Sequence, residues 1–313
     1  MAHAETLSLN DNWRFLRGDA KGAEQSGFDD SLWRQVRVPH DWSIEDLPGQ
    51  THPFSKDSIS KEAQGYMLGG VGWYRRTLSL PSDVAAKTVL LDFEAIYMDA
   101  QVWVNGQFVT RHPYGYTEFI LDVSKYLRAG DNVVAVRVDN PEPSSRWYSG
   151  SGIIRPAHLR IVDKVHVDSW GATITTPDIS ASRAKVRVVT PVINAGDASV
   201  DARLISRVVN AMGVEVARKE AKTPLNAAAS QDIEQELEVA KPLLWSTETP
   251  NLYTLIQEVR IDDCVVDSRS TRFGIRSISF DAKRGFLLNG KRVLLKGARY
   301  DVTCNSALRC GYA

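Results

Sequence analysis

The sequence predicts an all-β protein made of successive sandwiches, and three observations carry this. Short runs rich in β-branched and aromatic residues alternate with period two, as in Asn132-Val-Val-Ala-Val-Arg-Val-Asp. Asn-Gly pairs stand between such runs at Asn105-Gly106 and Asn289-Gly290. A type I′ hairpin turn needs φ > 0 at both central residues, which this dipeptide tolerates best. Helical periodicity is weak throughout: Asp30-Ser-Leu-Trp and Val123-Ser-Lys-Tyr-Leu allow only a turn or two. The 313 residues, at roughly 150 per domain, suggest two domains or a little more.

The first region contains the strands Thr88-Val-Leu-Leu-Asp-Phe-Glu and Ala100-Gln-Val-Trp-Val-Asn-Gly-Gln-Phe-Val, and seven of the eight tryptophans lie within residues 1–170. That bias separates it from a second region, Val165 to Phe280. There Lys185-Val-Arg-Val-Val-Thr, Ala202-Arg-Leu-Ile-Ser-Arg-Val-Val-Asn and Leu252-Tyr-Thr-Leu-Ile-Gln-Glu-Val-Arg alternate between turn signals. About seven strands in about 115 residues is the count of an immunoglobulin-like sandwich. Leu225 to Ser230 reads as a loop. The last stretch is a hairpin around Asn289-Gly290 presenting Phe286, Leu287, Leu288, Val293, Leu294 and Leu295. A two-stranded hairpin is marginal in water, so the tail from Asp281 is expected to be dispensable.

Composition removes several function classes. Lys+Arg and Asp+Glu are 38 each, so the formal net charge is zero. This argues against a nucleic-acid binder, which draws affinity from a basic excess. No apolar run is long enough to span a membrane. The start, Met1-Ala-His-Ala-Glu-Thr, lacks a basic region followed by an apolar stretch. No signal peptide is therefore read, which leaves the bacterial cytoplasm and periplasm both open. Cys264, Cys304 and Cys310 fit no metal spacing, and no cofactor or metal is expected. Asp92 and Glu94 share a strand face that would suit calcium, with a solvated acidic face as the simpler reading. His40-Asp41 is a poor catalytic pair, because neighbours on a strand point to opposite faces.

Several segments resemble one family in order along the chain. They are Leu9-Asn-Asp-Asn-Trp-Arg-Phe, Val38-Pro-His-Asp-Trp-Ser-Ile-Glu, Gly69-Gly-Val-Gly-Trp-Tyr-Arg-Arg, Ser144-Ser-Arg-Trp-Tyr-Ser-Gly-Ser-Gly-Ile-Ile-Arg, Trp245-Ser-Thr-Glu-Thr-Pro-Asn-Leu-Tyr, Phe273-Gly-Ile-Arg and Phe286-Leu-Leu-Asn-Gly-Lys-Arg-Val-Leu-Leu-Lys-Gly. Together they resemble the N-terminal part of glycoside hydrolase family 2, the β-galactosidase, β-glucuronidase and β-mannosidase group, closest to bacterial β-galactosidases. The resemblance implies a jelly-roll sugar-binding domain over 1–163, an immunoglobulin-like sandwich over 164–280, and the truncated start of a (β/α)₈ barrel over 281–313. In this family two barrel glutamates carry out retaining hydrolysis, which needs carboxyl groups about 5–5.5 Å apart. A barrel takes about 250 residues, so neither glutamate is expected in this chain. From Ala298 onward the sequence departs from the family pattern, as a frameshift, premature stop or truncation would make it do.

The substrate-binding candidates follow from the same resemblance. Arg146, Trp147 and Tyr148 lie in a loop that borders the sugar pocket in this family. An aromatic face covers the apolar face of a pyranose, and a guanidinium donates to hydroxyls. The alternative is that the two aromatics pack a domain contact. Asp57 is the most chemical residue of the long polar loop His52 to Tyr66, which resembles one on the same side; the plain alternative is a solvated carboxylate. Three functions compete: an inactive fragment of a β-galactosidase, a weak carbohydrate-binding module, and a structural remnant. A β-galactoside is the expected ligand, with no nucleic-acid or membrane partner, and a homo-oligomer is compatible with the sequence.

Overall fold

The structure, a computed structural model, describes residues 5–144 and 150–297. It is all-β, and its strands fall into two compact units that meet at Ile161 and Val162 in the sequence. The first unit holds β1 (Glu5–Ser8), β2 (Trp13–Arg17), β3 (Arg34–Val36), β4 (Gly70–Leu80), β5 (Thr88–Phe93), β6 (Ala100–Val104), β7 (Gln107–His112), β8 (Phe119–Asp122), β9 (Gly130–Asn140) and β10 (Ala157–Val162). They form a jelly roll of two sheets, β1-β10-β5-β8 and β3-β2-β4-β9-β6-β7.

Between the sheets lies one core that includes Trp13, Phe15, Trp42, Tyr74, Phe93, Val136 and Leu159. Trp13 is fully buried, and its indole N–H donates to Leu9 O at 2.6 Å, so no donor is stranded in apolar surroundings. Asn105 and Gly106 have φ of 51° and 81°, and Val104 pairs with Gln107 across them, as a two-residue type I′ hairpin requires.

The outer face of β4 is covered too. Trp73 packs with Ala23, Trp33 and Ala135 beneath the segment 18–33, against Phe28 and Trp103. Arg75, on the same face, is 2% exposed. Its guanidinium donates to Asp30 Oδ2 at 2.8 Å, Gln25 O at 3.0 Å, Phe28 O at 3.4 Å, and Ala23 O. One buried cation thus supplies hydrogen bonds to a segment that forms no strand of its own.

The second unit holds β11 (Val165–Val167), β12 (Thr173–Ile179), β13 (Arg183–Asn194), β14 (Val200–Val209), β15 (Glu215–Leu225), β16 (Ala229–Ala240), β17 (Tyr253–Ile261) and β18 (Cys264–Phe273). β13 pairs with β16 on one side, and with β11 and β12 in succession on the other. The facing sheet runs β15-β14-β17-β18. With β11 and β12 as one interrupted edge, this is the expected immunoglobulin-like sandwich. A polar clasp crosses it: the buried Gln257 amide donates to Thr190 Oγ1 at 2.6 Å in one sheet and Ser206 Oγ at 3.1 Å in the other. The expected loop Leu225 to Ser230 shrinks to three residues, because Leu225 and Ala229 belong to strands. The buried Asn194 amide makes this possible by donating to Leu225 O, Asn226 O and Ala198 O.

The tail differs from its expectation. β19 (Ile278–Asp281), β20 (Gly285–Leu288) and β21 (Lys291–Arg292) form a three-stranded sheet. Ile278–Asp281, which the sequence reading divides between sandwich and tail, is thus the outer strand of that sheet. Leu294 and Leu295 are exposed as expected, but Leu287 and Leu288 are buried. Asn289 explains the difference. Its φ is 50°, its Oδ1 accepts from Ser277 N at 3.0 Å, and its amide donates to Trp245 O at 2.9 Å. Asn289→Ala loses both side-chain bonds and leaves an alanine in the left-handed region, a cost of about 2 kcal/mol. The second unit's calorimetric midpoint should fall by about 5–10 °C. An unchanged midpoint would restore the dispensable tail.

Candidate functional site

Polar loops gather at the end of the jelly roll where β9 stops and β4 begins, since Gly70 pairs with Asn140. Asn140, 3% exposed, closes the base of the loop that follows it: its amide donates to Gly150 O at 3.1 Å and Ser151 Oγ at 2.8 Å. Asp41 is the second clamp. Its Oδ1 caps a short 3₁₀ turn, Trp42–Ile44, by accepting from Ser43 N at 2.9 Å, and also accepts from Ser151 N at 2.9 Å. Glu142 is the third, accepting from Ile59 N at 3.1 Å and from Gly69 N. Ser144 N donates to Ser60 Oγ at 2.7 Å. The loop before β4 and the loop after β9 are therefore held against each other from both sides.

Beneath the rim runs a charged relay. His40 Nδ1 lies 2.6 Å from the Tyr74 hydroxyl, and Nε2 lies 2.9 Å from Glu45 Oε1. Arg34 meets Glu45 Oε2 at 2.7 Å. Burial pushes the Glu45 carboxyl up, but the hydrogen bonds from His40 and Arg34 outweigh it and hold it below its ordinary value. Burial, with the nearby Asp41 charge, pushes the Tyr74 phenol well above its ordinary value. Arg17 sits among Glu45, Glu142 and Asp41; burial lowers its pKa while those carboxylates hold the charge. Glu45 and Glu142 thus both serve to hold the rim together.

Arg146, Trp147 and Tyr148 lie outside the described residues; the ends of their loop are the clamped positions Ser144 and Gly150. Asp57 lies in the facing loop and is exposed, its own N–H donating to Ser55 Oγ at 3.1 Å. Asp92 is buried and so is not part of a solvated acidic face; it stands beside Glu118, His158, Arg160 and Glu94. Burial raises the Asp92 carboxyl, with the Glu94 charge adding to it, and burial with the Asp92 charge raises the Glu118 carboxyl. Among the described residues no group of three or more metal-ligating side chains is placed to hold an ion, and no helix is long and apolar enough to cross a membrane. Sequence reasoning missed Glu142 and the exposed Tyr114 and Tyr116. The tyrosines share the loop after β7, with Tyr116 5.0 Å from the Tyr97 ring. The run Pro113-Tyr-Gly-Tyr was the available signal.

Fold and rim define a jelly roll followed in sequence by an immunoglobulin-like sandwich, the first carrying the polar loops. Residues 6–162 match the family model for the sugar binding domain of glycosyl hydrolases family 2, and residues 165–276 match the model for glycosyl hydrolases family 2. The chain belongs to that family. It is 38% identical over 307 residues to β-galactosidase BoGH2A of Bacteroides ovatus, covering 97% of this chain and 35% of that protein. It is 36% identical over 291 residues to a putative β-glucuronidase of Formosa agariphila, covering 93% and 27% respectively. A solved family 2 structure from Bacteroides cellulosilyticus superposes with a TM-score of 0.89 at 41% identity, over 93% of this chain and 38% of that one. The chain thus spans about a third of the length of the relatives it matches.

Proposed function

We propose that this chain is the non-catalytic, substrate-gripping portion of a retaining exo-β-glycosidase that acts on β-galactosides. The observation that carries the reading is the match across both sandwiches to family 2, with a β-galactosidase at 38% identity over nearly the whole chain. In this reading the loop leaving the Asn140 clamp brings Arg146, Trp147 and Tyr148 to the sugar, with Asp57 on the facing loop. Aromatic faces take the C–H face of a pyranose, and the guanidinium takes hydroxyls. The grip precedes chemistry that a carboxyl pair about 5–5.5 Å apart would perform.

The purified chain is therefore expected to give no turnover of an aryl β-galactoside. Release of the aryl group above a buffer blank, surviving repurification and abolished by a point change in this chain, would overturn the reading. The relative named as a putative β-glucuronidase favours a second reading, a β-glucuronide. Titration with galactose and with glucuronic acid, followed by tryptophan fluorescence, separates the two. Silence toward both sugars favours a structural remnant.

A further inference from the structure

The outer face of the six-stranded sheet carries an array that none of the rim chemistry uses. Cross-strand register places Trp103 of β6 beside Ala135 of β9 and Phe108 of β7. One step along the strands, Gln101 lies between Arg137 and Arg111. The first row is aromatic: Trp103 is half-buried and stacked on Trp73 at 5.4 Å, and Phe108, 54% exposed, meets Trp103 at 5.7 Å. The second row is planar and polar. The Gln101 amide has no hydrogen-bond partner among the described residues, while both guanidinium groups are fixed in place. Arg111 holds Asp99 through two bonds of 2.6 and 2.8 Å. Arg137 meets Asp139 at 3.1 Å and Asp19 at 3.3 Å.

We infer that this face binds a neutral oligosaccharide. Residues two apart on a strand are separated by about 6.8 Å, and neighbouring strands by about 4.8 Å. A pyranose laid on the aromatic row therefore spans about one strand spacing, with its equatorial hydroxyls directed at the Gln101 row. Trp103 is held by its stacking on the buried Trp73, its neighbour on the same face, and so loses little freedom on binding. Charge decides the class of ligand. Two guanidinium groups are already met by three carboxylates, so an anionic sugar gains no free cation, whereas hydroxyls find an unpaired amide and spare guanidinium N–H groups. This inference stands independently of which bond the whole protein cleaves.

The test is titration of the 313-residue chain with cellohexaose, β-1,4-galactohexaose and hexagalacturonate, read by calorimetry and tryptophan fluorescence. At least one neutral hexasaccharide should bind saturably, with no heat from hexagalacturonate. Phe108→Ala and Gln101→Ala should each weaken binding about tenfold, while Arg187→Ala, on the second sandwich, leaves it unchanged. Phe108 is exposed, so its loss should leave the melting midpoint in place, and the isosteric Gln101→Glu provides a further variant that folds. No saturable binding of either neutral sugar, binding that the Phe108 and Gln101 variants leave intact, or preference for hexagalacturonate would each overturn the inference.

Discussion

Arg75→Met is expected to lower the unfolding midpoint of the jelly roll by about 10 °C, far more than any exposed ion pair in the protein. The guanidinium is 2% exposed and holds together a segment with little regular structure. It pairs with Asp30 and supplies donors to Ala23 O, Gln25 O and Phe28 O, while its Cζ lies 5.5 Å from the Phe28 ring centre. Methionine fills the volume but donates nothing. Asp30 loses its partner, and several carbonyls lose theirs in a place water reaches poorly. Removing one partner of a buried pair costs about 3–5 kcal/mol, and each kcal/mol shifts a domain of this size by roughly 2–4 °C. Lysine should rescue little, because a point charge cannot serve diverging carbonyls as a planar fork does. Arg187→Ala is the contrast: its partner Glu234 and its own side chain are both about half exposed, and solvent screening leaves such pairs contributing little. Calorimetry of the three variants checks the order. A shift for Arg75→Met no larger than that for Arg187→Ala would mean that the 18–33 segment is held by its apolar contacts alone.

Legibility in the sequence followed the range of the interactions. The turn at Asn105-Gly106 was readable because its requirement, positive φ at two adjacent residues, is local. The strand from Asn132 was readable because only one face of it is continuously apolar. Gly69-Gly-Val-Gly reads as the approach to a strand, but the face that β4 buries does not show, since the 18–33 segment covers its outer face as the core covers the inner one and erases the alternation. The short turn after Leu225 depends on Asn194, some thirty residues upstream, where Asn194-Ala-Gly-Asp reads only as a turn signal of its own. The same logic governs the site. The peptide His40-Asp41-Trp42 announced itself as a motif, but its use is distributed: His40 points to Tyr74, Asp41 reaches Ser151, and Trp42 enters the core. Glu142 went unread, because the amides it receives, at Gly69 and Ile59, are more than seventy residues away. Arrays such as Gln101 between Arg111 and Arg137 exist only once the register of three strands is known.

Gly152→Ala should be the most damaging small substitution at the rim, lowering the jelly-roll midpoint by about 10 °C. Two separate costs combine there. Gly152 has φ of 126°, where an L side chain is strained by roughly 1–3 kcal/mol. A Cβ would also lie 2.6 Å from His40 O and against the Tyr74 hydroxyl. Neither neighbour gives way easily. His40 is held by its N–H donating to Ile153 O at 2.8 Å, and Tyr74 is fully buried in the aromatic core. Crowding of this kind adds about 1–3 kcal/mol. Gly49→Ala isolates the first cost, because Gly49 also has positive φ, 75°, but has nothing within 4 Å of a new Cβ; it should lose only about 1 kcal/mol. The excess at Gly152 then measures the close approach. Hydrogen exchange localises it: Gly152 N donates to Tyr97 O at 2.7 Å and Tyr97 N to Gly152 O at 2.9 Å, so both amides should lose protection in the variant. The Asn105 amide, bonded to Val133 O at the other end of β6, should keep its own. Equal destabilisation by the two alanines would show that the His40 and Tyr74 layer yields, and that the rim is not rigidly mounted on the core.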